Sequence, residues 1–339
     1  MNFGQLKICV EKHSEKFSEK LTSLKNSKIQ NFQNYNSLKA ALLNEYIWGK
    51  KSDQKDIKIG FLKGSETVER HSYDDIKNLY GNDVYIDPLQ KEVDKLSVID
   101  GIKKIVTDRY IPILGNINIS FVDDINQANV RIGFDGNDGA WSYVGTECLD
   151  YKDVSQPTMN LGWFDVQTVL HEFGHLFGMI HEHNNPRGNS IDWNKNAVYT
   201  WARETQGWDK ETTDSNIMEK YSFSQTNGSD FDPLSIMLYF FPGYLTLNGQ
   251  GTKENLILSG YDVLYLTKNY PSGSQAPNDF YVKTYGTSIK DSINKSDKLR
   301  VKTGENNNNN GINKKYIIIG IVILLIIIVV VFVDLFLKK

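Results

Sequence analysis

The stretch His171-Glu172-Phe173-Gly174-His175-Leu176-Phe177-Gly178-Met179-Ile180-His181 decides how the rest of the chain is read. On a helix, His171 and His175 stand four residues apart, one turn along the same face. Two imidazoles placed so can bind one Zn²⁺ at about 2.0–2.1 Å each, and Glu172 beside the first is a candidate general base. Gly178 follows three residues after the second histidine and can take the positive φ that ends a helix. The chain then turns and can bring His181 as a third nitrogen ligand. Three protein ligands leave a fourth position for water, the arrangement of catalytic rather than structural zinc.

A bare H-E-x-x-H arises by chance, but the extended motif fixes five positions within eleven residues. The bland alternative is a core helix that happens to carry histidines. Val166, Val169, Leu170, Phe173, Leu176, Phe177 and Ile180 would pack such a core. Yet four of the six histidines of the chain lie between residues 171 and 183. Crowding of that kind points to a metal. In such a site Glu172 takes the proton of a zinc-acidified water as it attacks a carbonyl, then passes it to the leaving amine.

The motif resembles that of the metzincin clan of zinc endopeptidases, and Glu182 directly after the third histidine narrows the likeness to the astacin-like metallopeptidases. A second hallmark, the Met-turn, is resembled by Ser235-Ile236-Met237-Leu238-Tyr239, with Leu238 where astacins usually carry His. Ala140–Thr146, Thr158–Trp163, Ile191–Asn194 and Phe231–Leu234 look like segments of the bacterial, fungal and viral members. The likeness spans roughly residues 45–271. It implies an α+β, metzincin-like zinc peptidase domain: a twisted mixed sheet, a backing helix, the zinc helix and a mostly irregular C-terminal subdomain. It also implies one catalytic Zn²⁺ on His171, His175 and His181. Tyr239 would be a fifth ligand at rest that swings out to the oxyanion, and Met237 an apolar floor beneath the metal. Glu182 would anchor a neighbouring backbone or charged terminus. His183 reads as a loop histidine, and Asp192 and Asp232 as caps of turns.

At 339 residues and 40% hydrophobic the chain can bury one sizeable core. A net charge of −3 gives no electrostatic footprint for nucleic acid. The only cysteines, Cys9 and Cys148, read as two free thiols in a reducing compartment, with a single bridge the alternative. The N-terminus lacks the apolar run of about 7–15 residues that a signal peptide needs.

Along the chain, residues 1–44 read as a polar helical extension, Val10, Phe17, Leu21 and Leu24 recurring at helical spacing. No inhibitory prosegment motif is recognisable there. Residues 45–275 read as the peptidase domain. Within it, 57–62, 117–122 and 128–134 alternate as strands, and 92–113 carry the spacing of one backing helix. Residues 157–161 are expected to form the edge strand before the zinc helix, where an extended peptide could add as one more strand. Helices are expected over 194–204 and 260–270.

Residues 276–315 turn to Ser, Asn, Asp, Gly and Lys and read as a flexible stalk. Residues 316–337 read as a transmembrane helix, since the charge-free run 316–333 reaches about 27 Å. The pattern is that of a single-pass tail anchor, on a host-cell or virion membrane, with the catalytic domain facing the cytosol. The expected partners are a polypeptide substrate and the lipid bilayer, with no nucleic acid and the oligomeric state open. Two rivals stand beside the endopeptidase: a membrane-anchored binding or structural protein on the same scaffold, and a zinc hydrolase of non-peptide amides.

Overall fold

Ile57 and Ile59 alternate with Asp56 and Lys58, and that alternation makes β2 (Asp56–Phe61), with both isoleucines buried and both charged residues exposed. The computed structural model describes residues 10–19, 46–50, 54–185, 191–220 and 230–307. In it β2 belongs to a six-stranded sheet. The order is β1 (Val10–Lys12), β6 (Ala140–Tyr143), β7 (Met159–Leu161), β5 (Val130–Gly133), β2 and β4 (Asn118–Phe121). β2 runs parallel to β4 and β5, and β5 parallel to β7. β6 runs antiparallel to β7, and β1 parallel to β6. A second, two-stranded sheet joins β3 (Glu69–Arg70) to β8 (Trp163–Phe164).

The helices are α1 (Tyr73–Tyr80), α2 (Gln90–Val93), α3 (Val98–Arg109), α4 (Val166–Leu176), α5 (Lys195–Gln206), α6 (Lys210–Thr213), α7 (Gly260–Asn269), α8 (Pro277–Tyr285) and α9 (Ile289–Asn307). The backing helix expected over 92–113 is divided. Ser97 is extended at φ −62°, ψ 159° and its hydroxyl accepts from Asp100 N, so a fresh helix, α3, starts there. α3 backs α4: the hydroxyl of buried Tyr110, just past its end, donates to Leu170 O at 2.5 Å. At the same end Arg109 holds Asp87 in a buried two-point pair, at 2.9 and 2.5 Å.

Three expectations are corrected. Residues 157–161 do not form an edge, because β7 has β6 on one side and β5 on the other. β6 lies next to β7 toward one end of the sheet, and Val10–Lys12 of the N-terminal extension add to its other side as the edge strand β1. Those residues are thus a strand rather than part of a helix. Extended backbone finds ladder partners on β6 that a solvated helix would not have. Further along, Phe17 is buried, stacked on His13 at 4.3 Å, and His13 Nδ1 lies 3.1 and 3.2 Å from the two carboxylate oxygens of fully buried Glu147.

The third correction concerns the stalk. Residues 277–307 form α8 and α9, and Phe280, Tyr281, Tyr285 and Ile289 are buried in the same core as the zinc helix. Polar composition disguised two helices whose few apolar residues mostly face inward. Among the described residues no helix is long and apolar enough to cross a membrane. The expected span, 316–337, lies outside them, as do Cys9 and residues 221–229. Among the described residues Cys148 is a free thiol, and burial pushes its pKa up to about 12.

Candidate metal centre

Asp165 opens the zinc helix: its carboxylate accepts from Thr168 N at 2.7 Å and caps α4. The helix is buried along nearly its whole length, so its histidines emerge into an enclosed site. Gly178 ends it as expected, at φ +85°, with Met179 N bonded back to Gly174 O at 2.9 Å. The indole of Trp48 donates to Leu176 O at 2.9 Å and closes the same end.

That turn returns His181 to the helix. The ligand nitrogens of His171, His175 and His181 lie within 4.8 Å of one another, all three residues buried. His171 Nδ1 lies 2.8 Å from Ile236 O, and His175 Nδ1 lies 2.9 Å from Met179 O. A carbonyl only accepts, so each Nδ1 carries the proton and each neutral ring presents the Nε2 lone pair. The Nε2 atoms of His175 and His181 are 3.0 Å apart. Two nitrogen ligands of tetrahedral zinc stand about 3.3 Å apart, so the donor set fits the ion closely.

Glu172 is buried beside His171, with 1% of its surface exposed. Tyr239 brings its hydroxyl to 2.5 Å from His181 Nε2, and its ring lies 5.5 Å from that of His171. Met237 lies beneath, 1% exposed; a Cβ on Gly174 would come within 2.6 Å of its sulfur. His183 is not among the converging nitrogens. It sits buried in the turn Glu182–Asn184, its Nε2 donating to Asn216 O at 2.9 Å and its ring stacked on His181 at 5.1 Å.

Glu182 anchors backbone from elsewhere in the chain. Its Oε1 accepts from Asp232 N and from Asn185 Nδ2, both at 2.7 Å, while its own N–H donates to Met237 O at 3.0 Å. Asp232 caps its turn through Leu234 N at 3.0 Å. Asp262 is a site residue that no motif marks. It accepts from Ser235 Oγ at 2.7 Å and Ile236 N at 2.8 Å, gripping the Met-turn from α7. Its only sequence signal is the capping box it forms with Ser259. Burial first, and the Asp232 charge second, push Asp262 up to about 6 and Glu182 well above the usual carboxylate range.

Comparison with known proteins agrees with this geometry. Residues 113–243 match the model of the astacin family of peptidases. A solved structure of myroilysin is 30% identical, with a TM-score of 0.52, covering 68% of this chain and 98% of that one. A second myroilysin crystal structure is 29% identical, TM-score 0.43, covering 64% and 84%. High choriolytic enzyme 1, a hatching-enzyme zinc protease of the medaka fish Oryzias latipes, is 14% identical, TM-score 0.36, covering 67% and 95%. No curated protein sequence matches. A protein with this fold and a three-histidine zinc centre is a metallopeptidase of the metzincin kind. The chain belongs to the astacin family and is a zinc metalloendopeptidase with a single catalytic zinc, and the group of His171, His175 and His181 fits that ion.

Proposed function

We propose that this enzyme cleaves extended polypeptide with Glu172 as general base and Tyr239 as oxyanion donor, tethered to a membrane by residues 316–337. One observation carries the catalytic part: two ring nitrogens are held by backbone carbonyls so that three imidazoles turn toward one point beside Glu172 and Tyr239. Zinc, when bound, supplies the Lewis acidity that polarises the scissile carbonyl and acidifies water. Glu172 takes a proton from the attacking water and delivers it to the leaving nitrogen. The Tyr239 hydroxyl donates to the oxygen on which negative charge develops. β6 packs against the zinc helix, and substrate backbone adds to the edge of β6 that β1 covers, once Val10–Lys12 have left it.

The test uses the purified full-length chain, wild type and Glu172→Ala, with zinc content and casein hydrolysis measured on both. Both should hold one zinc, and the variant should cut slower by about 10²–10⁴-fold. Zinc-loaded Glu172→Ala that cuts at the wild-type rate would remove Glu172 from its role. Tethering rests on the apolar run 316–333 and predicts flotation with phosphatidylcholine vesicles. Equal flotation of a chain ending at residue 315 would refute it.

A further inference from the structure

The helix α9 lies beyond the segment expected to complete the peptidase, yet one of its side chains reaches the back of the zinc centre. Ser292 and Ser296 stand one turn apart on its buried face. Ser292 Oγ accepts from Gly260 N at 2.9 Å, which seats α9 against the start of α7. Ser296 Oγ donates to Asp232 Oδ1 at 2.5 Å, while Ser259 Oγ donates to Oδ2 at 2.6 Å. Asp232 and Ser296 are each 1% exposed, so water is not available to replace either donor.

From Asp232 two short paths lead to the metal ligands. In the first, Asp232 N donates to Glu182, whose peptide follows His181 and whose N–H binds Met237 O. In the second, Ser259 joins Asp232 to Asp262, since Ser259 N also donates to Asp262 Oδ2 at 2.8 Å. Asp262 holds Ile236 N, and Ile236 O receives His171 Nδ1. Every link is a buried or partly buried hydrogen bond with a fixed partner. We infer that Ser296 is a positioning residue of the zinc centre, acting through the Asp232 carboxylate on His181 and His171. The inference rests on the zinc peptidase reading of that centre.

The attachment of α9 does not rest on Ser296 alone. Ile289 and Ile293 pack the helix onto the main core, and Tyr281 OH bonds Ser292 at 3.0 Å. Loss of the Ser296 hydroxyl leaves those contacts in place and takes one donor from a buried carboxylate. A group bonded directly to a metal ligand changes metal affinity or turnover by about 10–100-fold when altered, and Ser296, two or more hydrogen bonds further out, falls at the lower end of that range.

The experiment compares full-length Ser296→Ala, Ser296→Thr and Ile293→Ala with wild type. It measures zinc release to a chelator, the visible spectrum of the Co²⁺-substituted protein, and kcat and KM on one peptide. Alanine is a strong helix former, so Ser296→Ala keeps α9. Expected for Ser296→Ala are zinc release about tenfold faster, a shifted Co²⁺ spectrum and a kcat about tenfold lower at unchanged KM. Ser296→Thr, which keeps the hydroxyl, restores most of each, and Ile293→Ala, which loosens α9 without touching Asp232, changes none. Wild-type release, spectrum and kcat in Ser296→Ala would overturn the inference. So would equal effects from Ile293→Ala, which would make the role one of helix packing alone. A wild-type protein that retains no zinc would overturn the peptidase reading beneath it.

Discussion

Val10–Lys12 cover the edge of β6 where the proposed function places the substrate strand, so loosening the segment 10–19 that holds them should open the enzyme. Phe17→Ala is the cleanest perturbation, because Phe17 is 1% exposed, stacks on His13 and lies 5.8 Å from the Tyr46 ring. Truncating a buried phenylalanine costs about 3–5 kcal/mol in a core. Taking about 3 kcal/mol for a segment held at the rim of a sheet weakens its docking by roughly a hundredfold. The apparent KM for a substrate that needs β6 equals its intrinsic value divided by the fraction with the segment undocked. KM should therefore fall by up to about a hundredfold, levelling off once the undocked form dominates, while kcat stays put. Peptide kinetics give the first half of the assay, and hydrogen exchange over 140–143 reports whether β1 has left β6. Faster exchange there with an unchanged KM would refute the reasoning, since substrate would then not use the edge that β1 occupies.

Two other perturbations test the frame of the site. Gly174→Ala places a methyl 2.6 Å from the buried Met237 sulfur, so overpacking of about 1–3 kcal/mol should lower the melting temperature of the zinc-loaded protein by several degrees. An unchanged melting temperature would show that Met237 yields freely. Burial pushes Glu254 from 4.5 up to about 7, with Gln167 donating to it. The folded protein then holds a proton that the unfolded chain has released, and stability falls as pH rises from about 4.5 through 7. Glu254→Gln carries no charge at any pH, so its melting temperature should gain on wild type between pH 5 and pH 8. A constant difference would refute the assignment.

The three converging histidines are legible in the sequence because they fall within eleven residues that carry a helix-then-turn rhythm. The Met-turn and the closing helix are legible for similar reasons, one as a motif and one as a periodic run. What fixes the tautomer of His171, by contrast, is a carbonyl from Ile236, and no side chain announces which carbonyl a loop will present. Asp262 reads locally as a helix cap, and its grip on the Met-turn exists only once α7 meets that turn. The rank of β7 in the sheet is equally hidden, because strand order follows from crossovers rather than from alternation. The stalk reading fails although the signals against it are present. Pro277 opens α8, and Gly286 closes it in the left-handed region. Composition over a long window outweighs two punctuation marks and four inward-facing apolar residues.

On the proposed attachment through residues 316–337, the folding of α8 and α9 onto the domain would also set the length of a leash. As a free stalk, residues 276–315 could have carried the active site more than about 100 Å from an anchored residue 316. With α9 running to Asn307, eight residues, 308–315, separate it from the apolar run. Fully stretched they reach about 28 Å. A peptidase tethered so would patrol a shell no deeper than a small protein, and what it cuts would be set first by what comes to the bilayer surface.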